Sequence, residues 1–477
     1  MMKVTLNKRK VVIVGGGITG LTTAFYLQQY AKKQSLPLDI KLIESSLRVG
    51  GKIHTHRKNG FIIERGPESF FDTCSSVRKL AKELNIEHEL IQNNDGRTYI
   101  AVGNDLHPIP SNLLFGGSPA VSSFMTSSVF SLSGKVRAAG DLFLPRAKQE
   151  IDEPISDFFK RRFGPEVVEN LVEPVLAGTF AGDVDHLSMK SMFPQVYQLE
   201  QEYRSLIVGM KKTGKGIYAI DDHPGELHYE TFRNGLETLI EALEQQLEPG
   251  TILKAMKVES VEQLANGQVI IYTNNSEALK ADHVIITTPF NVVKNIFQDS
   301  EAIRTLPKMN YATIATVTMA FEKGQIDKYK DANNFFVSRN SDLAITTCTW
   351  SNHKWNDVAP DDCDLLRVYI GRVGDESIVE LSDSEIEKIV MQDLKRAIKL
   401  KNEPFYTVVT RWKESMPQYT IGHEERMKVL QEQFLKEYPQ VQLVGSSYRG
   451  ISVPNCVAQG QEAAMQAIQF FSESVIS

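Results

Sequence analysis

The chain has 477 residues, room for about three domains of ordinary size, and 42% of them are hydrophobic, enough to fill those cores. A net charge of −6 excludes a general nucleic-acid binder. The four cysteines (Cys74, Cys348, Cys363, Cys456) are far apart and form no CxxC pair, which excludes a disulfide framework and a cysteine zinc site and fits a reducing compartment.

The opening MMKVTLNKRK carries no apolar signal-peptide core and runs straight into a strand, so a cytoplasmic location is expected. Lys10 to Val14 is a continuous apolar strand of the kind found inside a parallel sheet. It ends in GGGITG, where Gly15, Gly17 and Gly20 satisfy GxGxxG and Gly16, Ile18 and Thr19 fill the spaces. Gly15 permits the tight turn, Gly17 lets the backbone approach a pyrophosphate, and Gly20 lets helix and sheet pack closely. Ile18, Leu21 and Phe25 then recur at helical spacing, and the N-terminus of that helix offers unpaired N–H groups to phosphates. Asp39 to Glu44 is a second strand. Glu44 at its end, followed by Ser45, suits ribose hydroxyls and would repel the extra phosphate of NADP.

RVGGK follows at 48–52. Its glycine pair, with Gly51 between Arg48 and Lys52, either lets a backbone lie against the bound dinucleotide or makes a simple turn. ERGPESF (64–70) places a rigid Gly66–Pro67 turn ahead of Glu68 and Ser69; it either aims backbone N–H groups or is a plain hairpin corner. The charge-free run from Pro108 to Gly134 is broken by Pro110, Gly116, Gly117 and Pro119 and is rich in serine, a poor membrane-spanning helix.

Residues 151 to 210 read as mainly helical, with Ile155, Phe158, Phe159 and Phe163 on one face. Short strands return at 251–289 and end in HVIITTP. Residues 311–321 and 365–371 suggest a larger sheet. Ser382 and Glu385 form a capping box ahead of a helix carrying Ile386, Ile389, Val390 and Leu394. VQLVG (441–445) is another buried strand, followed by a loop and a helix beginning near Pro454. Dinucleotide-type elements thus lie at both ends and in the middle, with the other segments as insertions. No HExxH spacing or Ser-His-Asp order is present, the ten histidines are scattered, and no metal site is expected.

Taken in order, GxGxxG, Glu44, RVGG, ERGPESF, the VES segment at 258–260, TTP at 287–289 and GSSYRGISVPNC near the end resemble the FAD-dependent amine-oxidase-type oxidoreductases. RNSDLAITTCTW (339–350), GDESIVELSD (374–383) and RWKESMPQY (411–419) are similar to the soluble bacterial protoporphyrinogen/coproporphyrinogen oxidases of the Bacillus type. The resemblance spans essentially the whole chain. It implies an α/β fold: a discontinuous Rossmann-like FAD-binding domain (1–95, 216–290 and 431–477), a helical domain (96–215) that faces the membrane in relatives, and an inserted sheet-based substrate domain (291–430).

The resemblance also implies non-covalent FAD, with its pyrophosphate on Gly15–Gly20 and its adenosine ribose on Glu44. Lys52 and Gly66 to Ser69 would line the ribityl chain and flavin, Val258 would pair its backbone with adenine, Trp412 would flank the ring, and Gly450, Ile451, Ser452 and Val453 would touch the ring end. Trp412 is otherwise a core aromatic, and Cys456 reads as a small core residue rather than a point of attachment. The implied reaction is oxidation of a porphyrinogen by FAD and molecular oxygen with release of hydrogen peroxide. Pyrrole protons can leave to solvent, so no dedicated general base is demanded.

The implied substrate is coproporphyrinogen III, with protoporphyrinogen IX as the alternative and a ferrochelatase as a transient partner. Four carboxylates call for cationic partners. Arg97, Arg204, Lys211, Lys212, Lys215 and Arg339 are candidates, each also readable as solvated surface charge. GMKKTGKG (209–216) could gate a carboxylated ligand or be a plain surface loop. Tyr369 is a pocket-floor candidate or a sheet aromatic. At most a peripheral membrane contact is expected. Other readings of the scaffold are an amine oxidase, a carotenoid-type desaturase, or a non-catalytic binding protein of the Rab-escort kind. RVGG, Trp412 and the GISV loop weigh against the last.

Overall fold

Val11 to Val14 send alternate side chains into two different cores, and that alternation organises the first half of the fold. The computed structural model describes residues 8–71, 75–103, 105–110, 120–147, 152–214, 216, 228–325 and 328–473. Cys74, Lys215 and the glycine- and proline-broken stretch 111–119 lie outside the described residues. The strand Arg9–Val14 is the centre of a five-stranded parallel sheet, flanked by Leu38–Ile43 and then Ile252–Leu253 on one side, and by His283–Ile286 and then Val441–Leu443 on the other.

Val11 and Ile13 pack on the helices Ile18–Lys33, Glu237–Gln246 and Val453–Glu473. Val12 and Val14 face a second core, shared with the three-stranded sheet of Val258–Gln263, Val269–Thr273 and Ala278–Ala281 and with the helix His423–Glu437. Both faces of the central strand are therefore dry, which is why it reads as an unbroken apolar run.

The second half is a seven-stranded sheet. Its order is Tyr406–Pro417, Tyr311–Glu322, Cys363–Ile370, Ile345–Trp350, Ala332–Val337, Arg97–Val102 and Asp105–Ile109. On one face, Val317, Leu366, Val368 and Ile370 pack against Ile386, Val390 and Leu394 of the helix Asp383–Ile398. That helix starts on the expected capping box: Ser382 accepts from the Glu385 N–H, and Glu385 bonds back to Ser382. The opposite face carries Thr316, Arg367, Tyr369 and Trp412 toward the remainder of the molecule.

Helices between 155 and 213 form a third layer, with Ile155, Phe158, Phe159 and Phe163 in its core as the periodicity requires. Two details differ from the sequence reading. Arg97–Val102 and Asp105–Ile109 join the seven-stranded sheet, because their alternating apolar residues complete its edge, so the helical layer begins after them. The stretch expected as a loop at 209–216 is helical through Thr213. Ser205 caps Leu206–Thr213 by accepting from the Val208 N–H, and Gly214 ends it with φ 72°.

His283 is buried in the strand His283–Ile286, its ring 4.9 Å from that of Phe470. Burial pushes the imidazole down to about 4, and His423, buried under Tyr419, is likewise pushed down to about 4. Each folded-state value lies below the ordinary 6.5, so the unfolded chain takes up protons first as the pH falls. Stability is full above about pH 6.5 and is lost between there and about pH 4. His283→Leu is expected to reduce the loss of urea-unfolding free energy between about pH 7 and about pH 5 by about 2 kcal/mol. An unchanged pH slope would contradict this assignment.

Candidate functional site

The C-terminal ends of the parallel strands converge on one edge, where open α/β sheets bind their ligands. Gly15 follows the central strand with φ 109°, and a Cβ there would come within 2.7 Å of Thr287 Oγ1. That hydroxyl donates to the carbonyls of Val14 and Gly15, both at 3.0 Å. A Cβ on Gly20 would fall 1.9 Å from the Gly15 oxygen, so the helix Ile18–Lys33 can sit this close only with glycine at both positions. Gly17 is the N-cap of that helix and has open space where a side chain would stand. Bare N–H groups at a helix N-terminus over open space make a cradle that fits a pyrophosphate.

Glu44 lies one residue past the second strand and reaches back to this turn. Its Oε2 accepts from the Gly16 N–H at 2.7 Å and its Oε1 from the Ser46 N–H at 2.7 Å, with the Ser45 hydroxyl at 3.1 Å. The backbone of Met256 donates to the Glu44 carbonyl and that of Ala255 to the Ser46 carbonyl, each at 2.9 Å. Val258 therefore opens its strand two residues beyond this edge, with its side chain in the core.

The RVGG turn packs directly on the glycine turn. The Gly50 N–H donates to Gly16 O at 2.7 Å, and a Cβ on Gly51 would lie 3.3 Å from Gly17 Cα. Arg48 turns inward on its own loop, donating to Val49 O (2.8 Å), Ile53 O (3.1 Å) and Gly51 O (2.6 Å). It braces the turn rather than offering its charge outward.

Lys52 carries the path on. Its ammonium donates to Ser415 O, and burial pushes its pKa down. Ser415 belongs to an irregular stretch of the strand Tyr406–Pro417: Ile314 pairs with Trp412 but Ala312 with Met416, and Glu414 takes φ 43°. This bulge re-aims Trp412. The Trp412 Nε1–H donates to Arg65 O at 2.6 Å, and a Cβ on Gly66 would lie 3.6 Å from the indole. The same Cβ would fall 1.8 Å from Lys52 O, so Gly66 is where the hairpin crosses the RVGGK loop. The last helix arrives from the other side, beginning at Val453 beside Gly450, Ile451 and Ser452. Cys456 in its first turns is buried, and burial pushes its thiol up against the opposing pull of Thr19 and Lys52 beside it.

Tyr369 shares a cluster with Trp412, Met416, Ile314, Ala181 and Val373. Two residues earlier on the same face stands Arg367, 2% exposed, which the sequence reading missed. Its guanidinium lies 4.6 Å from the Tyr369 ring centroid and donates to Gly66 O. Below it Glu68 lies 3.7 Å from Arg367, 3.3 Å from Lys354 Nζ, and accepts from Trp355 Nε1 at 2.9 Å. Burial opposes the charge of Glu68, but Lys354 and Arg367 outweigh it and hold the carboxyl below its usual range. Burial pushes Glu64 next to it up to about 8, against hydrogen bonds from Leu236 N–H and Thr55. The signal for Arg367 was a lone cation at period two from Tyr369 in an otherwise apolar strand.

Glu68, grouped from sequence with residues lining a cofactor, thus faces away into this ion cluster, and its hairpin neighbour Gly66 presents backbone instead. The basic candidates do not converge. Arg97 is paired with Asp331 at 3.2 Å on an exposed part of the sheet edge, held there by its strand register. Arg204 donates to Leu142 O, and Lys212 lies over the Tyr203 ring, both in the helical layer. Lys211 is in the last turn of the helix ending at Thr213. Arg339 is paired with Glu173 at 2.6 Å, an oxygen that Arg372 also reaches at 3.4 Å. Among the described residues no group of three metal-ligating side chains occurs.

The profile of the flavin containing amine oxidoreductases matches residues 18–468. Coproporphyrinogen III oxidase of Bacillus subtilis is 44% identical over 97% of this chain and 99% of its own length. The Staphylococcus aureus protein of the same name is 35% identical over 96% and 99%. A crystal structure from Exiguobacterium sp. 255-15, assigned as a protoporphyrinogen oxidase, superposes with a TM-score of 0.84 at 31% identity, covering 96% of this chain and 98% of that one.

Replacing Glu68 by Gln would leave Lys354 and Arg367 buried without their counter-charge. Glu68→Gln is expected to cost about 3 kcal/mol of stability, read as a lowered urea midpoint at constant slope. A loss under about 0.5 kcal/mol, the ordinary surface value, would rule out the buried ion cluster as drawn.

Proposed function

The chain belongs to the flavin-containing amine oxidoreductases, in the Bacillus-type branch of porphyrinogen oxidases, and we propose that it oxidises coproporphyrinogen III to coproporphyrin III. The single observation that carries the substrate is 44% identity over the full length of a coproporphyrinogen III oxidase. FAD is the cofactor, and the glycine cradle, the acid at the end of the second strand and the second helix N-terminus fit it. Bound FAD would supply the two-electron acceptor for each of the three oxidations of the macrocycle, with oxygen as the final acceptor and hydrogen peroxide as its product.

The residues then take the following parts. Gly15 to Gly20 hold the pyrophosphate, and Glu44 exchanges its bonds to Gly16 and Ser46 for ribose hydroxyls. Lys52, Gly66, Pro67 and Ser69 present their backbone along the ribityl chain and ring, while Glu68 fixes the hairpin from beneath. The Val258 backbone meets the adenine. Trp412, aimed by its bulge and tied to Arg65, walls the ring, and Gly450 to Val453 bring a helix N-terminus to its carbonyl end, where partial positive charge favours added electrons. Tyr369 forms the floor on which the macrocycle rests. Two of the three protons lost are pyrrole N–H protons, which can pass to solvent without a general base, and the third leaves the fourth bridge carbon.

The FAD part is built from 1–95, 216–290 and 431–477, the substrate part from 291–430 with the strands at 97–109, and the helical part from the rest. Coproporphyrin must next receive iron, which makes a ferrochelatase a transient partner. No described helix is long and apolar enough to cross a membrane. Leu132, Val136 and Phe143 are 77%, 66% and 83% exposed, close together in sequence beside Lys135 and Arg146, and support a peripheral contact of an otherwise cytoplasmic protein.

Anaerobic mixing with each porphyrinogen, followed by oxygen, is expected to develop porphyrin fluorescence faster with coproporphyrinogen III than with protoporphyrinogen IX. Equal rates would remove the preference, and no rate with either would remove the activity. Phe143→Ser is expected to cut co-sedimentation with anionic vesicles several-fold. If wild type and variant both stay in the supernatant, there is no peripheral contact.

A further inference from the structure

Two arginines on loops that follow different strands of the large sheet meet on one buried carboxylate. Arg339, just past Ala332–Val337, donates from Nε to Glu173 Oε1 at 2.6 Å. Arg372, just past Cys363–Ile370, reaches the same oxygen at 3.4 Å. Glu173 is 4% exposed, and its Oε2 has no hydrogen-bond partner. Local structure is arranged around it: Val168–Val172 winds as a π-turn, and Pro174, which has no N–H to give, follows directly. The turn at 338–340 docks on this segment through the Ser338 hydroxyl to Glu169 O at 3.0 Å.

The pair borders the cluster that holds Tyr369 and Trp412. Val373, next to Arg372, donates to Ala181 O at 3.1 Å, and both residues pack with Tyr369 and Trp412. Four carboxylates face the two cations: Glu173, Asp183, Asp375 and Asp185, the last paired with Lys160 at 3.4 Å. Glu173 is buried and stays. Asp183 is engaged by the Asp185 N–H and by His186. Asp375 holds Arg372 Nε at 2.9 Å but is 62% exposed, an ion pair that contributes little and is readily exchanged. The side chain of Arg339 is 45% exposed, with donors to spare.

We propose that Arg339 and Arg372, held in place by Glu173, form a carboxylate-binding subsite beside the Tyr369–Trp412 cluster that favours the four-carboxylate porphyrinogen over the two-carboxylate one. The assignment rests on the proposed function and names its specificity residues. A substrate propionate replaces Asp375 on Arg372 and takes a free donor of Arg339, while Glu173 keeps both guanidinium groups from turning to solvent. A ring edge bearing vinyl groups gains nothing from this pair.

The test uses flavin-loaded protein with Arg372→Gln, Arg339→Gln and Arg372→Lys. Each glutamine variant is expected to lower the ratio of kcat/KM for coproporphyrinogen III over protoporphyrinogen IX at least tenfold, chiefly through KM, and Arg372→Lys to recover much of it. An unchanged ratio overturns the subsite, even where both activities fall together. Should the glutamine variants not fold, fluorescence titration of the wild type with coproporphyrin III and with mesoporphyrin IX, a two-carboxylate analogue, decides. Tenfold tighter, salt-sensitive binding of the former supports the subsite, and equal affinity overturns it. A wild type inactive on both porphyrinogens would sink the proposed activity, while the binding titration still tests the subsite separately.

Discussion

A run of backbone contacts that only glycine permits connects one end of the site to the other. Gly20 lies on the Gly15 carbonyl, Gly51 on Gly17, and Gly66 on the Lys52 carbonyl, with the Gly50 N–H bonded to Gly16 between them. The first and last steps leave no room for a Cβ, and Gly51 is held to glycine by its φ of 57° as well as by a tight 3.3 Å approach. The pyrophosphate turn, the RVGG turn and the ERGPESF hairpin are therefore one continuous wall rather than three loops that happen to meet. Trp412 closes its far end by donating to Arg65, next to Gly66. A substitution at Gly20 or Gly66 displaces the next segment, because what it strikes is backbone rather than a side chain free to rotate.

The parts of this wall were legible to different degrees. The glycine turn, both flanking strands and Glu44 could be read directly, because strand, turn and acid have fixed spacing within one unit of chain. RVGGK and ERGPESF each allowed a bland reading as a turn, since nothing local says what a turn leans on. The large sheet was visible only as isolated β-rich runs. Its order pairs strands more than two hundred residues apart, Arg97–Val102 beside Ala332–Val337, and no periodicity encodes such a partner. Arg97 allowed two readings for that reason, and its strand register brings it to Asp331 as an exposed ion pair. Arg372 and Glu173 went unread because their meaning lies in each other, across two loops and a π-turn.

Buried charge beneath the Gly66 hairpin calls for a different account from stability. Arg367, Lys354 and Glu68 are nearly excluded from water, and Arg367 keeps two guanidinium nitrogens without hydrogen-bond partners. Such clusters rarely stabilise a fold relative to apolar packing of the same volume. What this one does is fix geometry: Arg367 binds the Gly66 carbonyl and lies over Tyr369, so the hairpin and the strand Cys363–Ile370 are tied together. Glu68 supplies the counter-charge that keeps the arginine there. The two residues on the Gly66–Glu68 stretch thus work in opposite directions, Gly66 toward the site and Glu68 toward its foundation.

The discontinuous chain follows from the same geometry. Strands at 9–14, 38–43, 283–286 and 441–443 are brought edge to edge, so the loops after them share one rim although they are far apart in sequence. The far end of the wall is made of pieces that the parallel sheet does not supply. They come from the hairpin at 61–66, the bulge at 412–416 and the start of the last helix. Lys52 touches two of these, through Ser415 and through Cys456, and its burial depends on both being in place. An occupant lying along this wall would therefore contact the parallel sheet, the large sheet and the last helix at once. Binding and the docking of these segments then favour each other, because whatever binds only the assembled wall stabilises the assembly.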